Sequence, residues 1–543
     1  MSKSLKDYSK EELLELVQSL KKTKKFGLVW EDKPEQVAID CETKLPVLQE
    51  VEDRAITESE DQPTNLIIEG DNYHSLSTLN YTHAGKIDVI YIDPPYNTGN
   101  KDFIYNDRYI DQEDGFRHSK WLSFMSKRLK LAKTLLANDG VIFISIDDNE
   151  QAHLKLLCDE LFGSTNVEQM IWKKNDFTDG VLKITKRFRI EHEYIIVCYK
   201  DKNLVNFNKV LQYSQIKNKY PNPDNDPRGE WISTELGASE AKSKKNSPRY
   251  YKIVSPTGKE WYRQWLFDEE NMESLIKDSR VYFGKDGNAQ PRLKKFVNEK
   301  REKSATSILQ DYGSARSGAR QIEQIFGTRV FDYPKPIELL EYLLELYKNK
   351  DATVLDFMAG SGTTGQAVLR SNQTDGGNRK FILCTNNENG IAENITYKRI
   401  SNVVHGYKDV AGTPANVRYL KTSFVDKAEN TDQTRVVLVA RATDMIKVRE
   451  NTFETVVEED LFKAYEGADT YSVIVFDPSV IDKAKTEITK LSDDKAVRVY
   501  VFSLANDSYT SDFADLDRQI ELCPIPESIL EVYKRIFDQK GTK

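Results

Sequence analysis

The sequence predicts an α/β fold: an open sheet flanked by helices, interrupted by a basic insertion and followed by a further α/β domain. Two observations lead there. Short apolar runs of strand length alternate with longer stretches of helical spacing along the 543 residues. Two of those runs end in turns of unusual composition, Asp93-Pro94-Pro95-Tyr96 and Gly360-Ser361-Gly362. The length adds that the chain divides into about three domains.

The elements follow in order. Asn65–Asp71 is a strand ending in a polar turn, and Ile87–Asp93 is the next. Trp121, Leu122, Met125, Leu129 and Leu136 then fall near helical spacing. Gly140–Ile146 is a strand, and a helix runs from about Asn149 to Phe162. Val167–Lys174 and Glu193–Lys200 form an antiparallel pair. The pattern resumes with a helix from Pro336 to about Lys348, a strand Thr353–Phe357 and a helix after Gly365. A strand Lys380–Thr385 and a helix from about Ile391 complete it.

The two turns carry the chemistry. Prolines directly after a strand cannot continue a ladder, so the backbone leaves the sheet at Asp93. The turn offers a carboxylate, carbonyls and an aromatic ring, a set that suits a flat base with an exocyclic amino group. Asp93 and the Pro94 carbonyl can each accept an amino hydrogen, and Tyr96 can stack on the ring. Taken alone, the same residues would also serve as a strand-ending loop with a capping Asp. In Asp356-Phe357-Met358-Ala359-Gly360-Ser361-Gly362-Thr363 the glycines permit close approach to a ligand, and the following helix N-terminus favours an anionic group. No Gly-Lys-Ser/Thr follows, which excludes the phosphate-binding P-loop.

Together the two turns resemble the target-base and cofactor motifs of the amino-methyltransferases of DNA that use S-adenosyl-L-methionine (SAM). The target motif stands first in the chain, the circularly permuted order called the beta class. The longer run Asp93-Pro94-Pro95-Tyr96-Asn97-Thr98-Gly99 resembles the modification (Mod) subunits of Type III restriction-modification systems. The resemblance covers about residues 65–401 by motifs, and it implies a Rossmann-like SAM-dependent methyltransferase sheet. On such a sheet the cofactor strands become the first and second, the Asn65 strand the third, and Asp93 ends the fourth. The turns at Asp71, Asp93, Gly360 and Glu388 then all lie beyond carboxyl ends of strands, where open α/β sheets bind ligands. Asp93, Pro94, Pro95 and Tyr96 are implied to act on adenine N6 in a base flipped out of duplex DNA. Asp71 and Asn72 are placed for the adenine of SAM, Glu388 for its ribose hydroxyls, and Gly360 and Gly362 for its methionine part. Asp356 and Thr363 flank that turn, and Phe357 offers an apolar wall. Lys335, in Tyr333-Pro334-Lys335-Pro336, would meet the methionine carboxylate or be an exposed lysine before a helix. Read as isolated residues, Asp71 and Glu388 would be ordinary helix caps.

The net charge of −8 is unevenly spread. Residues 201–330 hold 24 Lys and Arg against 17 Asp and Glu, a net of +7. Residues 401–543 hold 19 against 25, a net of −6. The family resemblance makes 201–330 a target-recognition domain between two methyltransferase halves, 61–200 and 331–404. Most of its aromatic residues (Tyr220, Trp231, Tyr250, Tyr251, Trp261, Trp265, Tyr282, Phe283) are expected in its own small core. Gly313–Gly318 reads as a small-residue loop that contacts DNA backbone or joins the halves. Residues 1–60 contain an amphipathic helix around Glu11–Val17 and a charged connector. Residues 405–543 form a further α/β domain with strands Val436–Val439, Tyr471–Phe476 and Val497–Phe502, which by resemblance docks a helicase–nuclease restriction subunit.

The five cysteines are scattered, with no Cys pair or Cys/His cluster at ligand spacing, so no metal is expected and a reducing compartment is. No apolar stretch approaches the ~20 residues of a membrane span, and the start lacks signal-peptide character. The expected protein is cytoplasmic, bound to double-stranded DNA and homodimeric. The competing readings are a solitary adenine methyltransferase and a catalytically silent scaffold that binds SAM or DNA.

Overall fold

The computed structural model describes residues 9–10, 28–58, 62–174, 188–213, 222–296, 300–428, 431–504, 507 and 509–537. The expected amphipathic helix around Glu11–Val17, and Tyr220, lie outside them. Residues 1–207 with 306–543 form one compact unit, and residues 208–305 form another.

The larger unit is built on a ten-stranded sheet. In chain order its elements are β1 (Lys44–Glu50), β2 (Thr64–Glu69), α1 (Asn72–Thr82), β3 (Ile87–Ile92), α2 (Arg117–Leu135), β4 (Leu136–Ile146), α3 (Gln151–Phe162), β5 (Val167–Lys173) and β6 (His192–Tyr199). After the insertion come β7 (Ile308–Leu309), α4 (Ala315–Phe326), α5 (Ile337–Leu346), β8 (Thr353–Asp356), α6 (Thr363–Asp375), β9 (Lys380–Thr385), α7 (Lys398–His405) and β10 (Asn416–Asp426). The strand order across the sheet is β1-β10-β2-β9-β8-β3-β4-β6-β5-β7. The run from β10 to β4 is parallel throughout. β6 enters antiparallel to both β4 and β5.

This is a permuted Rossmann-like methyltransferase sheet. β8 and β9 follow β2–β6 in the chain yet sit between β2 and β3 in space, so β8, β9, β2 and β3 are first to fourth. The central strands read as continuous apolar runs because helices cover both faces. Ile87, Val89, Ile90, Tyr91 and Ile92 of β3 are all buried. Helix α1 is buried although it carries Ser77, Thr78 and Asn80, because each side chain bonds a carbonyl one turn back, at 2.8 Å.

Two elements differ from expectation. Gly313–Gly318 is a helix start rather than a loop. The Ser314 hydroxyl accepts from the Ser317 N–H at 3.2 Å and the Ser317 hydroxyl from the Ser314 N–H at 2.8 Å, closing a capping box over α4. Gly318 is buried there because a Cβ would fall 2.2 Å from the Pro334 carbonyl oxygen. Val436–Val439 lies in helix α8 (Thr431–Arg441), not in a strand. Its β-branched residues suit a strand, but burial of only Leu438 and Val439 on one face decides for a helix.

The C-terminal part carries its own five-stranded sheet, built from Thr452–Glu458, Phe462–Gly467, Thr470–Val475, Ala496–Phe502 and Ile520–Ile525. It belongs to the same compact unit as the large sheet. The reason is shared core: Leu438, Met445, Val448, Ile529 and Tyr533 pack in one cluster with residues of α1 and β1.

The smaller unit, 208–305, lies inside the stretch that the charge pattern sets apart. It contains a three-stranded antiparallel sheet and a hairpin of Tyr250–Val254 with Glu260–Gln264. Trp265 and Phe283 sit in its core with Leu236, Ile253, Met272 and Val281, and Tyr251 and Trp261 pack on them. Trp231 is buried edge-on to Tyr282.

Candidate active site

β8 pairs directly with β3, Val354 opposite Val89 and Leu355 opposite Ile90. Pairing in this register sets the turn after β8 beside the turn after β3. β9 and β2 bring the turns at Glu388 and Asp71 to the same end of the sheet.

The turn after β3 is held from several sides. The Trp121 indole donates to the Pro95 carbonyl at 2.7 Å. Asn97 is buried with a left-handed φ of 57°, and its amide donates to Glu150 Oε1 at 2.5 Å. The Tyr96 hydroxyl donates to Glu193 Oε2 at 2.9 Å.

Lys335 packs against this turn. Its Nζ donates to both Asp93 oxygens at 2.8 and 2.9 Å and to the Tyr96 hydroxyl at 2.6 Å. Glu193 Oε2 is 3.4 Å away. Burial raises the Asp93 pKa, and Lys335 only partly offsets it. Burial works the same way on Glu193, but Lys335 and Lys174 outweigh it and hold that carboxyl low. Lys335 is itself raised, since Asp93 and Glu193 overcome the desolvation of its ammonium. Two carboxylates thus share one buried cation.

The turn after β8 is supported from beneath. Gly360 and Gly362 have left-handed φ of 49° and 76°. The Thr396 hydroxyl donates to the Gly360 carbonyl at 2.6 Å. Arg399, fully buried, donates to the Ser361 carbonyl at 3.2 Å, to the Thr363 hydroxyl at 2.7 Å and to Gln366 at 2.8 Å. Burial lowers its pKa to about 9. Helix α6 starts at Gly362 without a capping side chain, which leaves its N-terminal dipole facing the turn. Asp356 accepts from the Thr364 hydroxyl at 2.5 Å and the Met358 N–H at 3.0 Å. Burial pushes its pKa up to about 7, with Asp93 adding to the effect.

The remaining expected residues are placed as follows. Asp71 caps α1 by accepting from the Tyr73 N–H at 2.7 Å, and Arg128 joins it to Asn72. Phe357 is fully buried in the core. Glu388 is exposed in a single turn after β9. Sequence reasoning missed Glu193, Thr396 and Arg399. Arg399 had one available signal, a cation on the apolar side of a short helix.

A DNA methylase family model matches residues 87–396, more than half of the chain. The chain belongs to that DNA methylase family. It is 36% identical over 384 residues to the Type III restriction-modification enzyme StyLTI Mod subunit of Salmonella typhimurium, covering 66% of this chain and 58% of the relative. Against the EcoPI Mod subunit of Escherichia phage P1 the identity is 32%, over 60% of this chain and 58% of that one. The Type II methyltransferase M.KpnI of Klebsiella pneumoniae is 30% identical over 67% of this chain and 90% of its own length. The chain thus spans under two thirds of the two Mod subunits.

Proposed function

We propose that the protein methylates adenine N6 in duplex DNA with SAM, as the modification and DNA-recognition subunit of a Type III restriction-modification system. The observation that carries this is the direct pairing of β8 with β3, which puts the Gly360–Gly362 turn beside Asp93–Tyr96. The Mod names of the two relatives supply the system. SAM, when bound, supplies a methyl group on a positively charged sulfur, already activated toward a nucleophile. The chain's residues bind, orient and exclude water.

Gly360, Gly362 and the uncapped start of α6 suit the methionine part, and Asp356, Phe357 and Thr363 hold that turn in shape. Asp71, Asn72 and Glu388 flank the adenosine side. Asp93 and the Pro94 carbonyl accept the amino hydrogens of a flipped adenine, which raises electron density on N6. Tyr96 stacks on the ring. Lys335 occupies the Asp93 oxygens in this structure, so an entering base exchanges with its ammonium there. Residues 201–330 read the sequence, the protein works as a homodimer in the cytoplasm, and the C-terminal part meets a helicase–nuclease partner. Among the described residues no helix is long and apolar enough to cross a membrane.

The test is transfer of radiolabelled methyl from SAM to DNA, with digestion to nucleosides. N6-methyladenine is expected; methylcytosine or no transfer contradicts the proposal. The near-complete cover of M.KpnI favours a second reading, a solitary methyltransferase of the same chemistry. Co-purification of a helicase–nuclease encoded beside the gene decides for the first.

A further inference from the structure

We propose that His118, Glu150 and His153 form a binding site for one divalent transition-metal ion of the zinc class, set behind the turn that carries Asp93–Tyr96. The three residues come from the start of α2, the residue before α3 and the first turn of α3. One donor atom from each lies within 4.8 Å of the others. His118 Nδ1 is 2.6 Å from Glu150 Oε1, and His153 Nδ1 is 2.9 Å from Glu150 Oε2. Two imidazoles and a carboxylate are the nitrogen–oxygen ligand set that zinc takes when a water completes its shell.

Geometry separates this cluster from a simple chain of hydrogen bonds. Glu150 is fully buried, yet its Oε2 accepts no hydrogen bond, and His153 Nδ1 at 2.9 Å makes none either. The two atoms are close but out of line for each other. A buried carboxylate oxygen left in this way costs several kcal/mol unless a cation or donor meets it. The imidazole side chains are 41% and 37% exposed, so an ion has a path in and a place for water.

His118 Nε2 accepts from the Arg117 Nε–H at 3.4 Å, which favours a proton on Nδ1 facing Glu150. On binding, that proton moves to Nε2 and the long contact with Arg117 breaks. His153 binds through an unprotonated Nδ1. Metal and proton compete for that nitrogen. Asn97 reaches the site through Glu150 Oε1, which ties the ion to the catalytic turn. Glu150 and His153 stand three residues apart at the start of α3, on one side of its first turn.

The test uses the full-length chain, stripped with a chelator and titrated with Zn²⁺ by calorimetry and with Co²⁺ by visible absorption. One equivalent is expected to bind, with d–d bands and no thiolate-to-cobalt charge-transfer band. His153→Ala and His118→Ala should each lower affinity about tenfold or more. The thermal midpoint of the stripped variants should match that of the stripped wild type, and the rise on adding Zn²⁺ should be lost only in the variants. No stoichiometric binding, affinity unchanged in His153→Ala, or a thiolate band from the cysteines would each overturn the proposal.

Discussion

Lys335 shows what a single buried cation does here. It satisfies Asp93, Tyr96 and Glu193 together, so Lys335→Met leaves Asp93 without a counter-charge and Glu193 with Lys174 alone. The expected loss of stability is about 3 kcal/mol, read from denaturant unfolding at constant pH. Asp356 gives a pH signature. Its pKa is about 7 when folded against an ordinary carboxylate value of 3.8, so the folded state holds a proton that the unfolded chain releases. Stability therefore falls as pH rises from about 4 to about 7, by up to about 1.4 kcal/mol per pH unit, and is level above that. Relative to Asp356→Asn, the wild-type thermal midpoint should climb as pH falls from 7 to 5; a constant gap would show that Asp356 is not buried as an acid. The target and glycine turns were legible in the sequence because Pro-Pro and Gly-x-Gly constrain backbone locally. The contacts of Lys335, Glu193 and Arg399 were not, since each depends on partners far away in the chain.

At the level of elements, strands and their order were legible wherever both faces are apolar, as in β3 and β8. Val436–Val439 misled because a β-branched run carries no period that separates strand from helix. Gly318 misled because its role is tertiary. It lets α4 approach the Pro334–Lys335 backbone, and Gln321 Oε1 then accepts from the Ile337 N–H at 3.0 Å. Gly318→Ala should push α4 and the Lys335 segment apart and cost about 1–3 kcal/mol. Methyl transfer should fall with it, measured at a temperature where the variant stays folded. Full activity and stability would show that this close approach does not position Lys335.

For the whole molecule, the proposed recognition role falls on the insertion. The insertion 208–305 leaves and re-enters the chain between β6 and β7, so it can vary without altering the paired β3 and β8. Exchanging residues 201–330 for those of a relative should change the methylated sequence while adenine N6 remains the product; an unchanged target would defeat the recognition role. Salt sensitivity belongs to the same scale, since neutralised phosphates make log affinity fall with log salt. The most direct measurement compares methyl transfer with SAM affinity in Asp93→Ala. Transfer to adenine should fall by at least about a hundredfold while calorimetry shows SAM still bound. Near-normal turnover in that variant would contradict the assignment of the Asp93–Tyr96 turn as the site of chemistry.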